Sequence, residues 1–106
     1  MMSSKEWYKL HNFDDNLSYC QKVLRKFDID KYHFVNDEYG HRALLIDLGI
    51  NLYRIDIDMF NCQMVVRKKQ TKRKGQKHPK EYLRIVASYK KDCIYNCIKW
   101  ISVDKL

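Results

Sequence analysis

From Tyr53 onward the chain alternates with a period of two: Tyr53, Ile55, Ile57 and Met59 are apolar, while Arg54, Asp56 and Asp58 between them are charged. Successive side chains of a strand point to opposite faces, so this pattern predicts a strand buried on one side and wet on the other. Cys62, Met64 and Val66 continue the style over about 61–68, and Leu83, Ile85, Ala87 and Tyr89 resume it over about 81–89. Upstream, Arg42 to Leu48 reads as an apolar strand, and Tyr32, Phe34 and Val35 form a shorter strand-like piece over 31–36. Asn36-Asp37-Glu38-Tyr39-Gly40 has turn chemistry, and Gly49 marks the next tight turn.

Two segments change to a helical period. Leu17, Cys20, Leu24 and Phe27 recur at steps of three, four and three. That spacing predicts a helix over about 14–27, with Gln21, Lys22, Arg25 and Lys26 outward and Asp14 or Asp15 at its start. Cys93, Ile94, Cys97, Ile98 and Ile101 make the face of a closing helix over about 91–101. The first dozen residues have no clear period. The expected architecture is α+β, one domain over residues 1–106: an N-terminal helix, an antiparallel sheet of four or five strands and a C-terminal helix. A length of 106 residues and a hydrophobic content of 45% suffice for a real core, which excludes disorder for most of the chain. No apolar run is long enough to span a membrane, and no apolar leader follows Met1. A cytoplasmic setting with reduced thiols is therefore expected.

Charge changes this picture in one place. Residues 67–80 hold eight Lys or Arg and no acid, and outside them thirteen basic residues face thirteen acidic ones. The whole formal +8 thus belongs to one short segment between two predicted strands. A β-hairpin with a long basic tip is the simplest geometry, and Gly75 and Pro79 suit a tip rather than a ladder. Clustered like charges repel one another until something anionic arrives. No apolar residue lies among them to enter lipid, so a membrane role is not expected.

Other chemistry is weaker. Cys93 and Cys97 lie at i and i+4, but tetrahedral zinc needs two further ligands, and a thiol on an apolar helix face behaves as a small hydrophobe. Asp56 and Asp58, with Asp47, would suit Mg²⁺ in a nuclease, yet none of the three Glu is followed two residues later by the Lys such sites use. The histidines form no triad spacing, and three glycines cannot make a phosphate cradle. No metal, cofactor or catalytic residue is expected.

The leading expectation is a non-catalytic nucleic-acid-binding protein, DNA ahead of RNA, with Arg67, Lys68, Lys69, Lys72, Arg73, Lys74, Lys77 and Lys80 facing phosphates and Arg84 adding a contact at the base of the hairpin. Lys22, Arg25 and Lys26 are the one visible candidate for reading bases, and a homodimer is the common way for a small DNA binder to gain affinity. A composition rich in Lys, Ile, Asn and Tyr fits AT-rich coding, as in many plasmids and phages, so an accessory factor of such an element is one setting. The rival reading is a small phage-type inhibitor whose cations engage a host nucleic-acid enzyme. A weaker one is a toxin-like RNase using Arg54, Arg84, Tyr82 and His78.

Overall fold

The computed structural model describes residues 2–69 and 83–105. Two short helices, α1 (Ser4–His11) and α2 (Leu17–Lys26), precede five strands. The strands are β1 (Tyr32–Asn36), β2 (Arg42–Asp47), β3 (Leu52–Asp58), β4 (Gln63–Lys69) and β5 (Leu83–Tyr89), and α3 (Cys93–Asp104) closes the fold. Each strand pairs antiparallel with the next, in the order β1-β2-β3-β4-β5. The α+β expectation and the antiparallel sheet hold, with five strands. The tip of the β4–β5 connection lies outside the described residues.

Register explains the core. Phe34, Leu44, Ile55, Val66 and Ala87 stand opposite one another across all five strands. Facing residues share a side of the sheet, so this row is one continuous apolar stripe. Leu44, Ile46, Tyr53, Ile55, Met64 and Val66 are fully buried under Trp7 of α1, Phe13 of the link between α1 and α2, Cys20 and Leu24 of α2, and the apolar face of α3. All three helices therefore cover the same face. Cys93, Ile94, Cys97, Ile98 and Ile101 are all buried, as their spacing predicts.

Departures from the sequence reading are concentrated at the N-terminus. The predicted helix 14–27 begins later, at Leu17, and Leu17 itself is exposed. Asp14 and Asp15 do not cap it. Asn12 donates from Nδ2 to Asp15 Oδ2 at 2.8 Å and accepts from the Asp15 amide at 2.8 Å, which ties both into the link between helices. Asp14 instead pairs with Arg42 at 3.1 Å. The unassigned first dozen residues contain α1, whose start is capped by Ser3: its Oγ accepts from the Glu6 amide at 3.2 Å. Trp7 is the one buried residue of α1, and its indole N–H donates to the Lys90 carbonyl at 3.0 Å. One anchor in eight residues leaves no period to see.

Gly40 (φ +80°) and Gly49 (φ +84°) take positive φ in the β1–β2 and β2–β3 turns. No neighbour lies within 4 Å of where a Cβ would stand at either, so their requirement is backbone conformation rather than space.

The one-sided core makes a sharp contrast testable. Leu44→Ala should cost about 2–5 kcal/mol, the range for emptying a well-packed aliphatic site. Ile50→Ala, at a position 97% exposed, should stay within about 0.5 kcal/mol. Urea unfolding followed by circular dichroism reads both, and equal losses would contradict the assigned faces.

Candidate nucleic-acid interface

The face of the sheet opposite the helices carries the second set of alternating residues. His33, Leu45, Arg54, Arg67 and Ile85 stand opposite one another across the five strands, mirroring the apolar row behind them. Asp56 lies one step along β3, and its side chain is buried between two guanidinium groups. Arg54 Nε donates to Asp56 Oδ1 at 2.7 Å, and Arg67 Nη1 donates to Oδ2 at 2.8 Å. One carboxylate thus orients two arginines, and the cluster retains a net positive charge. Each guanidinium offers five N–H donors, so both keep donors beyond those spent on Asp56.

These residues floor a groove of about 590 Å³. Leu83 and Ile85 of β5 line one side of it, and the β1–β2 and β3–β4 turns bring Tyr39 and Phe60 to the other end. Tyr39 is 68% exposed and Phe60 77% exposed, with ring centroids 6.5 Å apart at 75°. Three acids, Asp37, Glu38 and Asp58, line that end; Glu38 is exposed, and the other two are held by their own turns. Asp37 Oδ1 accepts from the amides of Tyr39 and His41 at 2.9 and 2.8 Å. Asp58 accepts from Asn61 at 2.8 Å and Gln63 at 3.1 Å, and the Asn61 and Gln63 donors hold its carboxyl below the usual range.

The predicted phosphate-facing residues divide. Arg67 lies on the open face, paired with Asp56. Lys68 points to the helix side, where its Nζ donates to Asp104 Oδ2 at 2.7 Å and sits 5.7 Å from the centre of the Tyr53 ring. The buried Tyr53 hydroxyl donates to the same carboxylate oxygen. This clasp ties the end of α3 to β3 and β4. Arg84 stands opposite Lys68 and is exposed on the helix side. Lys69 is half-buried at the end of β4. Lys72, Arg73, Lys74, Lys77 and Lys80 lie outside the described residues, as do His78 and Tyr82. Lys22, Arg25 and Lys26 are exposed on α2, with Lys26 Nζ 5.3 Å from the centre of the Tyr95 ring.

The alternative chemistries find no assembled site among the described residues. Arg54 and Arg84, two of the four residues of the RNase reading, occupy opposite faces of the sheet, and the other two, Tyr82 and His78, lie outside the described residues. Asp56 is taken up by arginines, Asp58 by its turn, and Asp47 accepts from the Gly49 amide at 2.9 Å, so the three acids do not converge. No three His, Cys, Asp or Glu among the described residues gather to hold a metal. Cys20, Cys93 and Cys97 are buried in the core. Burial pushes the Cys20 thiol up to about 12, the Cys93 thiol up to about 11, and that of Cys97 higher still. In these apolar surroundings the three thiols pack as small hydrophobes. Among the described residues no helix is long and apolar enough to cross a membrane.

Two features of the open face escape the sequence reading: the exposed Tyr39–Phe60 pair and the double pairing of Asp56. A large ring inside a polar turn segment is the signal that marks Tyr39. No family model matches the sequence, and neither a curated protein nor a solved structure matches it.

The Lys68–Asp104 clasp predicts a pH dependence. The Lys68 hydrogen bond first, and that of Tyr53 second, hold the Asp104 carboxyl below its ordinary value of 3.8. A depressed folded value contributes stability that is full well above 3.8 and is lost as the pH falls through the folded value. Asp104→Asn should therefore be less stable than the wild type at neutral pH, with the gap closing as the pH drops below 3.8. Thermal unfolding across an acid series measures it, and a gap independent of pH would contradict the clasp.

Proposed function

We propose that this protein is a non-catalytic nucleic-acid-binding module that engages the phosphate backbone through the cations of residues 67–80, with Arg84 beside them. The observation that carries this reading is the distribution of charge: eight cations and no acid in fourteen residues, against a balanced remainder. Lys69 and Leu83 stand opposite each other at one end of the sheet, so the intervening stretch leaves and rejoins the fold at a single place. Cations tethered there meet a polyanion as a group. Arg67 and Lys68 have a different part in this reading. Their ion pairs with Asp56 and Asp104 fasten the root of the segment, Arg67 keeps further guanidinium donors for a phosphate, and the cations beyond them carry the other phosphate contacts.

Such binding positions a protein without reading sequence, and its energy comes largely from released counterions. Its signature is therefore steep loss of affinity with salt. Duplex DNA is the first partner to test, with RNA as the comparison. Fluorescence anisotropy across a salt series should give log K falling by about 0.9 per phosphate contact on duplex DNA. Changing Lys72, Arg73, Lys74 and Lys77 together to Ala should flatten that slope by roughly three to four units. Absence of binding at about 50 mM salt, with the circular dichroism of a folded protein, would overturn the proposal and turn the search toward an acidic protein surface, such as that of a nucleic-acid enzyme.

A further inference from the structure

We infer that the open face of the sheet is a subsite for single-stranded nucleic acid, with phosphates on Arg54 and Arg67 and unpaired bases stacked on Tyr39 and Phe60. The inference builds on the nucleic-acid reading above and specifies a strand form and a second contact surface for it. Three observations meet here. The groove of about 590 Å³ is large enough to take part of a nucleotide chain, within the usual range for ligand sites. Its floor holds two guanidiniums that a buried carboxylate aligns side by side, with donors left over and a net positive charge. Its far end holds two aromatic rings that no core packing explains, each more than two-thirds exposed.

The spacing suits a strand of a few nucleotides. Arg54 and Asp58 are four residues apart on β3, about 13 Å at the rise of a strand, and Phe60 lies just beyond. Arg67 is also the first residue of the basic run, so the arginine pair adjoins the root of that run. Two arginines held by the two oxygens of one acid are matched to an anion that accepts from both. Base–aromatic stacking needs a free π-face, which a duplex interior withholds and a single strand presents.

The acids near the rings do not contradict this arrangement. Asp37 and Asp58 are occupied by backbone and side-chain donors of their turns, so they face the bases with much of their hydrogen-bonding capacity spent, and the exposed Glu38 remains hydrated. Their negative charge also sets polarity, since phosphates are steered to the arginine end and bases to the ring end.

The test compares oligothymidylate, oligouridylate and duplex DNA of equal length, by anisotropy at low salt, for the wild type and Tyr39→Ala/Phe60→Ala. Both rings are exposed, so the double variant should keep the wild-type circular dichroism. The expected result is that a single strand binds more tightly than duplex. The ring variant should then lose about 10- to 100-fold on the single strand, at about 1–3 kcal/mol per stacked base, with duplex affinity unchanged within about two-fold. Whichever of the two homopolymers binds more tightly identifies DNA or RNA as the source. Unchanged single-strand affinity in the ring variant would overturn the subsite and leave phosphate binding by the basic segment intact. Failure of the wild type to bind any of the three would overturn both.

Discussion

Among the described residues, the three helices all pack on one side of the sheet, where they bury Leu44, Ile46, Tyr53, Ile55, Met64 and Val66. With a side-chain period of two, a one-residue slip in any strand would move its apolar set into water. The pairing register is therefore under strong constraint, and it also determines which residues share the open face. The row His33, Leu45, Arg54, Arg67, Ile85 exists because the row behind it must be apolar.

The opposite face carries no helix among the described residues, yet Ala43 and Val65 are buried on it. Arg54 and Arg67 cross this surface and meet at Asp56, which is only 9% exposed. A carboxylate that far from water requires full pairing, and two guanidiniums provide it. The same contact that makes Asp56 tolerable also sets the two arginines side by side. On the helix side, Lys68 and Arg84 continue the rows past the end of the core, and Asp104 draws Lys68 back onto α3. Arg67 and Lys68, the first two members of the basic run, are thus both anchored by acids.

Much of this was legible in the sequence wherever burial has a local period. The five apolar positions of α3 and the alternation of β3 translate directly into buried faces. The pairing of β4 with β5 also follows, but a register shift between Val66 and Arg67 turns Leu83 and Ile85 to the face opposite Ala87 and Tyr89, which the alternation does not reveal. α1 was not legible because a single tryptophan anchors it, and one anchor has no period. Asp14 and Asp15 resembled the acids of a helix start, but Asn12 recruits Asp15 for the link before α2, and Arg42, distant in sequence, recruits Asp14. The basic segment stood out by composition alone. The partners of its first two members did not, since Asp56 and Asp104 lie eleven and thirty-six positions away and only the folded register brings them close. The exposed Tyr39–Phe60 pair joins two separate turns, a juxtaposition set by strand lengths that alternation does not encode.

The central claim is that nucleic acid meets this protein on the open sheet face and at the β4–β5 end, away from the helices. Titration of an isotopically labelled sample with a short oligothymidylate, followed through amide and arginine side-chain NMR signals, tests it most directly. The account predicts shifts at Arg54, Arg67, Lys69 and Leu83 and at the Tyr39 and Phe60 turns, with α2 and the exposed side of α3 silent. Shifts confined to α2 and α3, or none at saturating oligonucleotide, would contradict it.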